Sequence, residues 1–207
     1  VDAVGVMLQA LTAHALATGA YAVKAGDRIL VQAGAGGVGL MLTQIAKHAG
    51  ATVYATVGSE PKVAVAKSAG ADAVINYSTD DFAERVLALT DGAGVNAVFD
   101  AVGAPTFEKS LRCLAPLGTF VSYGAAGGAV PPFRLNDLPG GRYITSTRMS
   151  HHTPTREAWV ERATEVFRLL QAGVLRTYVT TYPLSQAAAA HDALEGRDSI
   201  GKLVLIP

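Results

Sequence analysis

Short apolar runs of strand length alternate with stretches of helical spacing along most of this chain. Arg28 to Gln32 (RILVQ) is an apolar run that ends in a cluster of glycines. Leu40 to His48 then reads as helix, with Leu40, Ile45 and Ala46 on one side. Thr52 to Val57 (TVYATV) is β-branched and aromatic, as strands prefer. Pro61 to Ser68 follows as helix, with Ser59 placed to cap it and Pro61 in its first turn, where a missing N–H costs little. Ala73 to Asn76 is the next strand. Asp81 to Leu89 is the next helix, with Asp80 and Asp81 near its positive end. Asn96 to Ala101 and Thr119 to Ser122 read as strands on either side of a helix from Thr106 to Leu114. The rhythm breaks from Ala125 to Gly141, a long loop rich in Gly and Pro. Arg142 to Ser146 reads as an edge strand. Arg156 to Ala172 is an amphipathic helix whose Trp159, Ala163, Val166, Phe167 and Leu170 recur at three and four residues. Gln186 to Leu194 is a shorter helix, and Lys202 to Ile206 closes the chain as a strand. Alternating β and α with apolar strands predicts an α/β fold, a doubly wound parallel sheet covered by helices on both faces. No tandem repeat or low-complexity linker interrupts it, so residues 1–207 are read as one domain.

Composition narrows the classes further. The 207 residues are 50% hydrophobic and 16% charged, enough to bury a full core. The 17 basic side chains balance 17 acidic ones, which gives no support for a nucleic-acid or anionic-membrane partner. Charge or glycine interrupts each apolar run short of the roughly 18 residues of a membrane span. No membrane association and a cytoplasmic location are therefore expected. The single cysteine, Cys113, rules out an intrachain disulfide framework and a cysteine-based structural zinc site. The chain opens on Val1, and Ala3 to Ala20 reads as helix with no basic lead and no cleavage pattern, so it is not a signal peptide. It is read as a piece of something longer.

The strongest motif is Gly34-Ala35-Gly36-Gly37-Val38-Gly39, a G-x-G-x-x-G run with a strand before it and a helix after it. Gly34 permits a tight turn, Gly36 lets the backbone approach a pyrophosphate, and Gly39 allows helix and strand to pack closely. The helix N-terminus then offers free N–H groups and partial positive charge to the phosphates. Fold and motif together predict a dinucleotide-binding, Rossmann-type domain. Specificity for NAD calls for Asp or Glu at the end of the second strand. Here that tip is Gly58-Ser59, small and uncharged. Lys62 stands one helical turn on, within reach of a 2′-phosphate, while Glu60 points away within the first turn. NADPH is therefore the expected cofactor. Tyr77 follows a strand and can lay its ring or hydroxyl beside the same phosphate.

The stretches AGAGGVG (33–39), ATVGSEPK (55–62), AGADAVINY (69–77), VFDAVG (98–103), SYGAAGG (122–128) and AAHDALEGRDSIGKLVLIP (189–207) resemble the zinc-independent medium-chain dehydrogenase/reductases. The likeness is to the cofactor-binding domain of the zeta-crystallin-like NADPH quinone oxidoreductases. It covers nearly the whole chain and is weakest from Pro131 to Pro154. It implies that Gly36, Gly37 and Val38 line the pyrophosphate, and that Gly58, Ser59, Lys62 and Tyr77 surround the adenosine 2′-phosphate. It also implies that Ala101, Val102, Tyr123, Gly124 and Ala126 border the nicotinamide. Thr12 matches a family threonine near the nicotinamide and is the one candidate catalytic residue. Gln9 stands where zinc-dependent relatives carry a cysteine ligand, so no metal is expected. His151 and His152 are read as solvated loop.

The resemblance further implies an N-terminal domain, absent from this sequence, that walls the substrate side of the cleft. Without it, an exposed apolar face is expected. The expected reaction of the parent is hydride transfer from NADPH to a quinone or related enone. The alternatives are an enoyl-thioester reductase of a fatty-acid or polyketide system and a non-catalytic NADPH-binding module. A homodimer is implied through the edge strand at Arg142 to Ser146, since an unpaired edge is a liability.

Overall fold

The computed structural model describes residues 2–134, 136, 138, 140–196 and 199–207. The chain begins with α1 (Asp2–Ala15), which runs on through a π-helical turn, Leu16–Ala20. Six parallel strands follow: β1 (Arg28–Val31), β2 (Thr52–Val57), β3 (Ala73–Asn76), β4 (Val95–Asp100), β5 (Leu114–Ser122) and β6 (Tyr143–Ser146), in the order β3-β2-β1-β4-β5-β6. Between them lie α2 (Gly37–His48), α3 (Glu60–Ser68), α4 (Phe82–Leu89) and α5 (Phe107–Arg112), and α6 (Arg156–Gln171) comes after β6. The strand order reverses between β1 and β4. That is the switch point at which open α/β sheets leave a crevice beyond their carboxyl ends.

The central strands read as unbroken apolar runs because both faces are covered. Ile29, Leu30 and Val31 of β1 and Ala97, Val98 and Phe99 of β4 are fully buried. Alternate residues part to the two faces. Ile29, Val31, Val53, Ala97, Phe99 and Val121 pack with α1, α2 and α6, whereas Leu30, Tyr54, Val98 and Phe120 pack with α4 and α5. α4 begins at Phe82, one residue after the expected start, and Asp81 is its N-cap, accepting from the N–H groups of Ala83 and Glu84. Ser59 holds the N-cap position of α3, but its side chain makes no capping bond.

Several boundaries differ from the reading above. β5 begins at Leu114, not Thr119; it is bent at Leu117, whose φ is +61°. α2 begins at Gly37, three residues before Leu40. A strand that the pattern did not show, β7 (Val179–Pro183), pairs in parallel with β8 (Lys202–Ile206) as a second, two-stranded sheet, with α7 (Ala187–Glu195) between them. The approach to β8 touches the first sheet's glycine turn: Gly201 N donates to Ala35 O at 3.1 Å.

Ala3–Ala20 also corrects the composition argument, because this 18-residue stretch is long and apolar enough to cross a membrane by length and composition. Its inner side, with Val6, Ala10, Leu11, Ala13, Leu16 and Ala17, is built into the core. On its outer side Val4, Met7 and Leu8 are exposed, an apolar stripe of the kind anticipated.

Candidate functional site

The crevice is built on the turn after β1. Ala33 takes a left-handed φ of +53°, which is uncommon for a residue with a side chain. The turn is closed by Gly36 N to Ala33 O at 2.9 Å and tied to β2 by Gly34 N to Thr56 O at 2.7 Å. Its glycines do different work. A methyl group on Gly34 would lie 2.7 Å from Ala55 Cβ, and one on Gly39 would strike the Ala33 carbonyl and come within 2.9 Å of Gly34 Cα. Both positions are closed by packing. A methyl group on Gly36 would meet only the Ala33 oxygen, at 3.2 Å, so this side of the turn is open. Gly36 is the N-cap of α2 and no side chain caps the helix. The N–H groups of Gly37, Val38 and Gly39 therefore lack acceptors within the helix and add to its positive end. Gln9 from α1 lies across Gly37, where a methyl group would sit 2.7 Å from its Cγ, and Gln9 Oε1 is buried with no hydrogen-bond partner.

At the tip of β2 the structure brings Gly58 and Tyr77 together. The Tyr77 phenol lies where a side chain on residue 58 would go, 2.9 Å from Cζ to the site of a Cβ, and Ser78 Oγ donates to Gly58 O at 2.8 Å. An acidic side chain here would have to displace the tyrosine. Ser59 and Lys62 are joined through the backbone, Lys62 N to Ser59 O at 3.1 Å. Beside Tyr77 opens a cleft of about 220 Å³, lined also by Asp80, Phe82, Val102, Pro105, Thr106 and Lys109. Of these only Tyr77 and Val102 were legible in the sequence. Lys109 reaches the cleft because its ammonium pairs with Asp81 at 2.8 Å and lies 6.0 Å from the Phe82 ring centre, contacts no local pattern announces.

The ends of β4 and β5 form the opposite wall. Asp100 Oδ1 accepts from the N–H groups of Val102 at 2.6 Å and Gly103 at 3.0 Å, which shapes the turn after β4. Tyr123 N donates to Asp100 O and Ala126 N to Ala101 O, so Ala101, Val102, Tyr123, Gly124 and Ala126 stand together. Gly124 is a close approach: a methyl group there would lie 2.9 Å from Ala101 O. Burial, with the Asp100 charge second, holds the Tyr123 phenol above its ordinary value. Past Tyr123 and Gly124 lies a cavity of about 750 Å³, lined by Phe107, Phe120, Phe133 and Arg148 among others.

Thr12 follows Gln9 by one helical turn. Its hydroxyl donates to Leu8 O at 2.7 Å and is thereby left as an acceptor. His152 is not solvated loop: its Nε2 pairs with Thr147 Oγ1 at 2.8 Å and its ring is pressed against Gly19 in the π-helical turn. Among the described residues no three His, Cys, Asp or Glu side chains stand together as a metal site.

The 2-haloacrylate reductase of a Burkholderia species is 42% identical over 98% of this chain and 62% of its own length. Quinone oxidoreductase 1 of Escherichia coli K12 is 40% identical over 97% of this chain and 63% of its own. A mycobacterial protein solved as a complex with NADPH superposes with a TM-score of 0.92 at 45% identity, over 98% of this chain and 63% of that one. The chain thus spans less than two thirds of these relatives. The family model described as zinc-binding dehydrogenase matches residues 37–166. That match runs from the open glycine turn to the middle of α6, over more than half of the sequence, and the chain belongs to the zinc-binding dehydrogenase family, of which it carries the Rossmann-type dinucleotide fold.

Proposed function

We propose that this chain is the cofactor-holding domain of an NADPH-dependent oxidoreductase whose parent reduces a quinone or a related enone without zinc. The observation that carries the reading is the open turn at Gly36, backed by three N–H groups at the start of α2. The residues present fit the dinucleotide in a second way: the buried Gln9 Oε1 is an acceptor without a donor, and a ribose hydroxyl would satisfy it. Bound there, NADPH supplies the hydride.

The protein's part is binding, orientation and exclusion of water. Gly36, Gly37, Val38 and Gly39 would receive the pyrophosphate. Gly58 and Ser59 present no negative charge to a 2′-phosphate, and Lys62 and Tyr77 would flank it. Ala101, Val102, Tyr123, Gly124 and Ala126 would wall the nicotinamide. Thr12, with its proton already given to Leu8 O, would accept from the carboxamide rather than act as an acid. Solvent supplies the proton that completes reduction. The zinc-free reading rests on Gln9 standing where zinc-dependent relatives carry cysteine. The named activities of the relatives favour a quinone or an activated C=C as acceptor. Turnover is assigned to the whole protein and cofactor binding to this chain.

Calorimetric titration with NADPH and then NADH tests this. Tighter binding of NADPH, weakened about tenfold in Lys62→Ala as a charge-assisted contact is lost, supports it. Equal or tighter NADH binding overturns the assignment of Ser59, Lys62 and Tyr77, and binding of neither sinks the reading for this chain. β6 is the sheet's outer strand, with Tyr143 exposed, and self-pairing through it would give a homodimer. A monomer in sedimentation at micromolar concentration would refute the dimer.

A further inference from the structure

Beneath the crevice runs a line of buried polar side chains from β2, past the end of β1 and through α5, to the end of β4. Thr56, Gln32 and Ser110 are fully buried, and Asp100 is 1% exposed. The Thr56 hydroxyl donates to Gln32 Oε1 at 2.5 Å, and the Gln32 amide donates to Ser110 Oγ at 3.0 Å. Ser110 passes its one proton to Asp100 Oδ2 at 3.3 Å, the oxygen that Thr106 Oγ1 also reaches at 2.7 Å. Every donor points the same way and the line ends on a carboxylate. Apolar side chains of the same size would avoid the desolvation cost of these groups, so stability does not account for them. A satisfied polar line does fix direction and spacing, as apolar packing does not.

Its three anchors are the strand ends around the crevice. Gln32 immediately precedes the strained Ala33, the Thr56 carbonyl holds Gly34 N, and Asp100 Oδ1 shapes the Val102–Gly103 turn. We propose that Gln32 is a positioning residue that holds the phosphate turn and the nicotinamide-side turn at one spacing, so that both halves of the dinucleotide bind as a unit. The proposal rests on the NADPH reading above. Gln32 lies under the turn and acts through the backbone on either side of it.

The test compares NADPH with 2′,5′-ADP, which carries only the adenosine half, on the wild-type chain, Gln32→Leu and Ser110→Ala, each checked for folding by circular dichroism. Gln32→Leu is expected to lower NADPH affinity about tenfold and 2′,5′-ADP affinity less than about threefold, because only the longer ligand spans both turns. The double variant should bind NADPH no more weakly than Gln32→Leu, since both changes cut one line. A purely structural residue would weaken both ligands alike, and that result overturns the proposal, as does unchanged NADPH affinity. If Gln32→Leu does not fold, Ser110→Ala carries the same comparison by the same criteria. Failure of the wild-type chain to bind NADPH overturns the functional reading itself. Normal wild-type binding with no differential loss overturns only the role of Gln32.

Discussion

The glycine turn makes a prediction that separates packing from ligand approach. In Gly39→Ala the new methyl would strike Ala33 O and sit 2.9 Å from Gly34 Cα, two backbone atoms that cannot rotate aside. Overpacking of this kind costs about 1–3 kcal/mol, and the upper end applies here. At about 2–4 °C per kcal/mol for a chain of this size, the melting temperature should fall roughly 6–12 °C. In Gly36→Ala the methyl meets one atom, at 3.2 Å, and the φ of −75° suits any residue. The loss of stability should stay under about 1 kcal/mol, the usual cost of alanine at an N-cap. The methyl would nevertheless occupy the open side of the turn. NADPH affinity should then fall on the order of a hundredfold, about 2.7 kcal/mol. Thermal melts by circular dichroism and calorimetric titration read the two quantities separately. If Gly36→Ala melts as low as Gly39→Ala, the turn is closed at both positions and no cradle exists. If Gly36→Ala keeps wild-type affinity, the ligand does not approach the backbone there.

Other consequences can be checked on the same chain. Leu117 is 67% exposed with a φ of +61°, a conformation that costs about 1–2 kcal/mol for a residue with a side chain but that asparagine tolerates. Leu117→Asn should therefore raise the melting temperature by about 2–4 °C, and a fall would refute the strain. The Asp81 carboxyl is held below its usual value first by Lys109 and then by the N–H groups of Glu84 and Ala83, against some desolvation. Its stabilisation is thus complete above about pH 4 and drains as pH falls through the depressed value. Urea melts should show Asp81→Ala about 1 kcal/mol less stable at pH 7, with a smaller gap at about pH 3, and a gap that does not narrow on acidification would contradict this. Cys113 is fully buried and burial pushes its thiol up to about 12, so it should resist alkylation at pH 8 until the chain is unfolded.

Local pattern was sufficient where an element's character lies in its own residues. β2, β3 and β8 fall where their β-branched runs placed them, and the amphipathic spacing of α6 marks it to within a residue. β7 was missed because Thr180, Thr181 and Pro183 are exposed and carry no apolar alternation. The start of β5 was hidden by Pro116 and Gly118, which read as a turn and instead accompany the bend at Leu117. α2 begins inside the glycine run, because the backbone there is drawn close to β2 and α1 rather than because glycine favours helix.

The candidate site divides along the same line. Residue order alone determined a strand, a glycine run and a helix, with an uncharged tip on the second strand, and so the expectation of a dinucleotide crevice that favours NADPH. These are short-range matters of spacing and charge. Only the tertiary structure decided that Tyr77 covers Gly58, that Gln9 lies across Gly37, and that Lys109 joins the cleft beside Phe82. It also decided that Gln32, which in sequence is merely the polar end of an apolar strand, bridges Thr56 and Ser110, 24 and 78 residues away. Periodicity sets which face of an element is buried. Which buried polar groups find partners depends on chain segments that meet only after the sheet has formed, and no local pattern encodes that meeting.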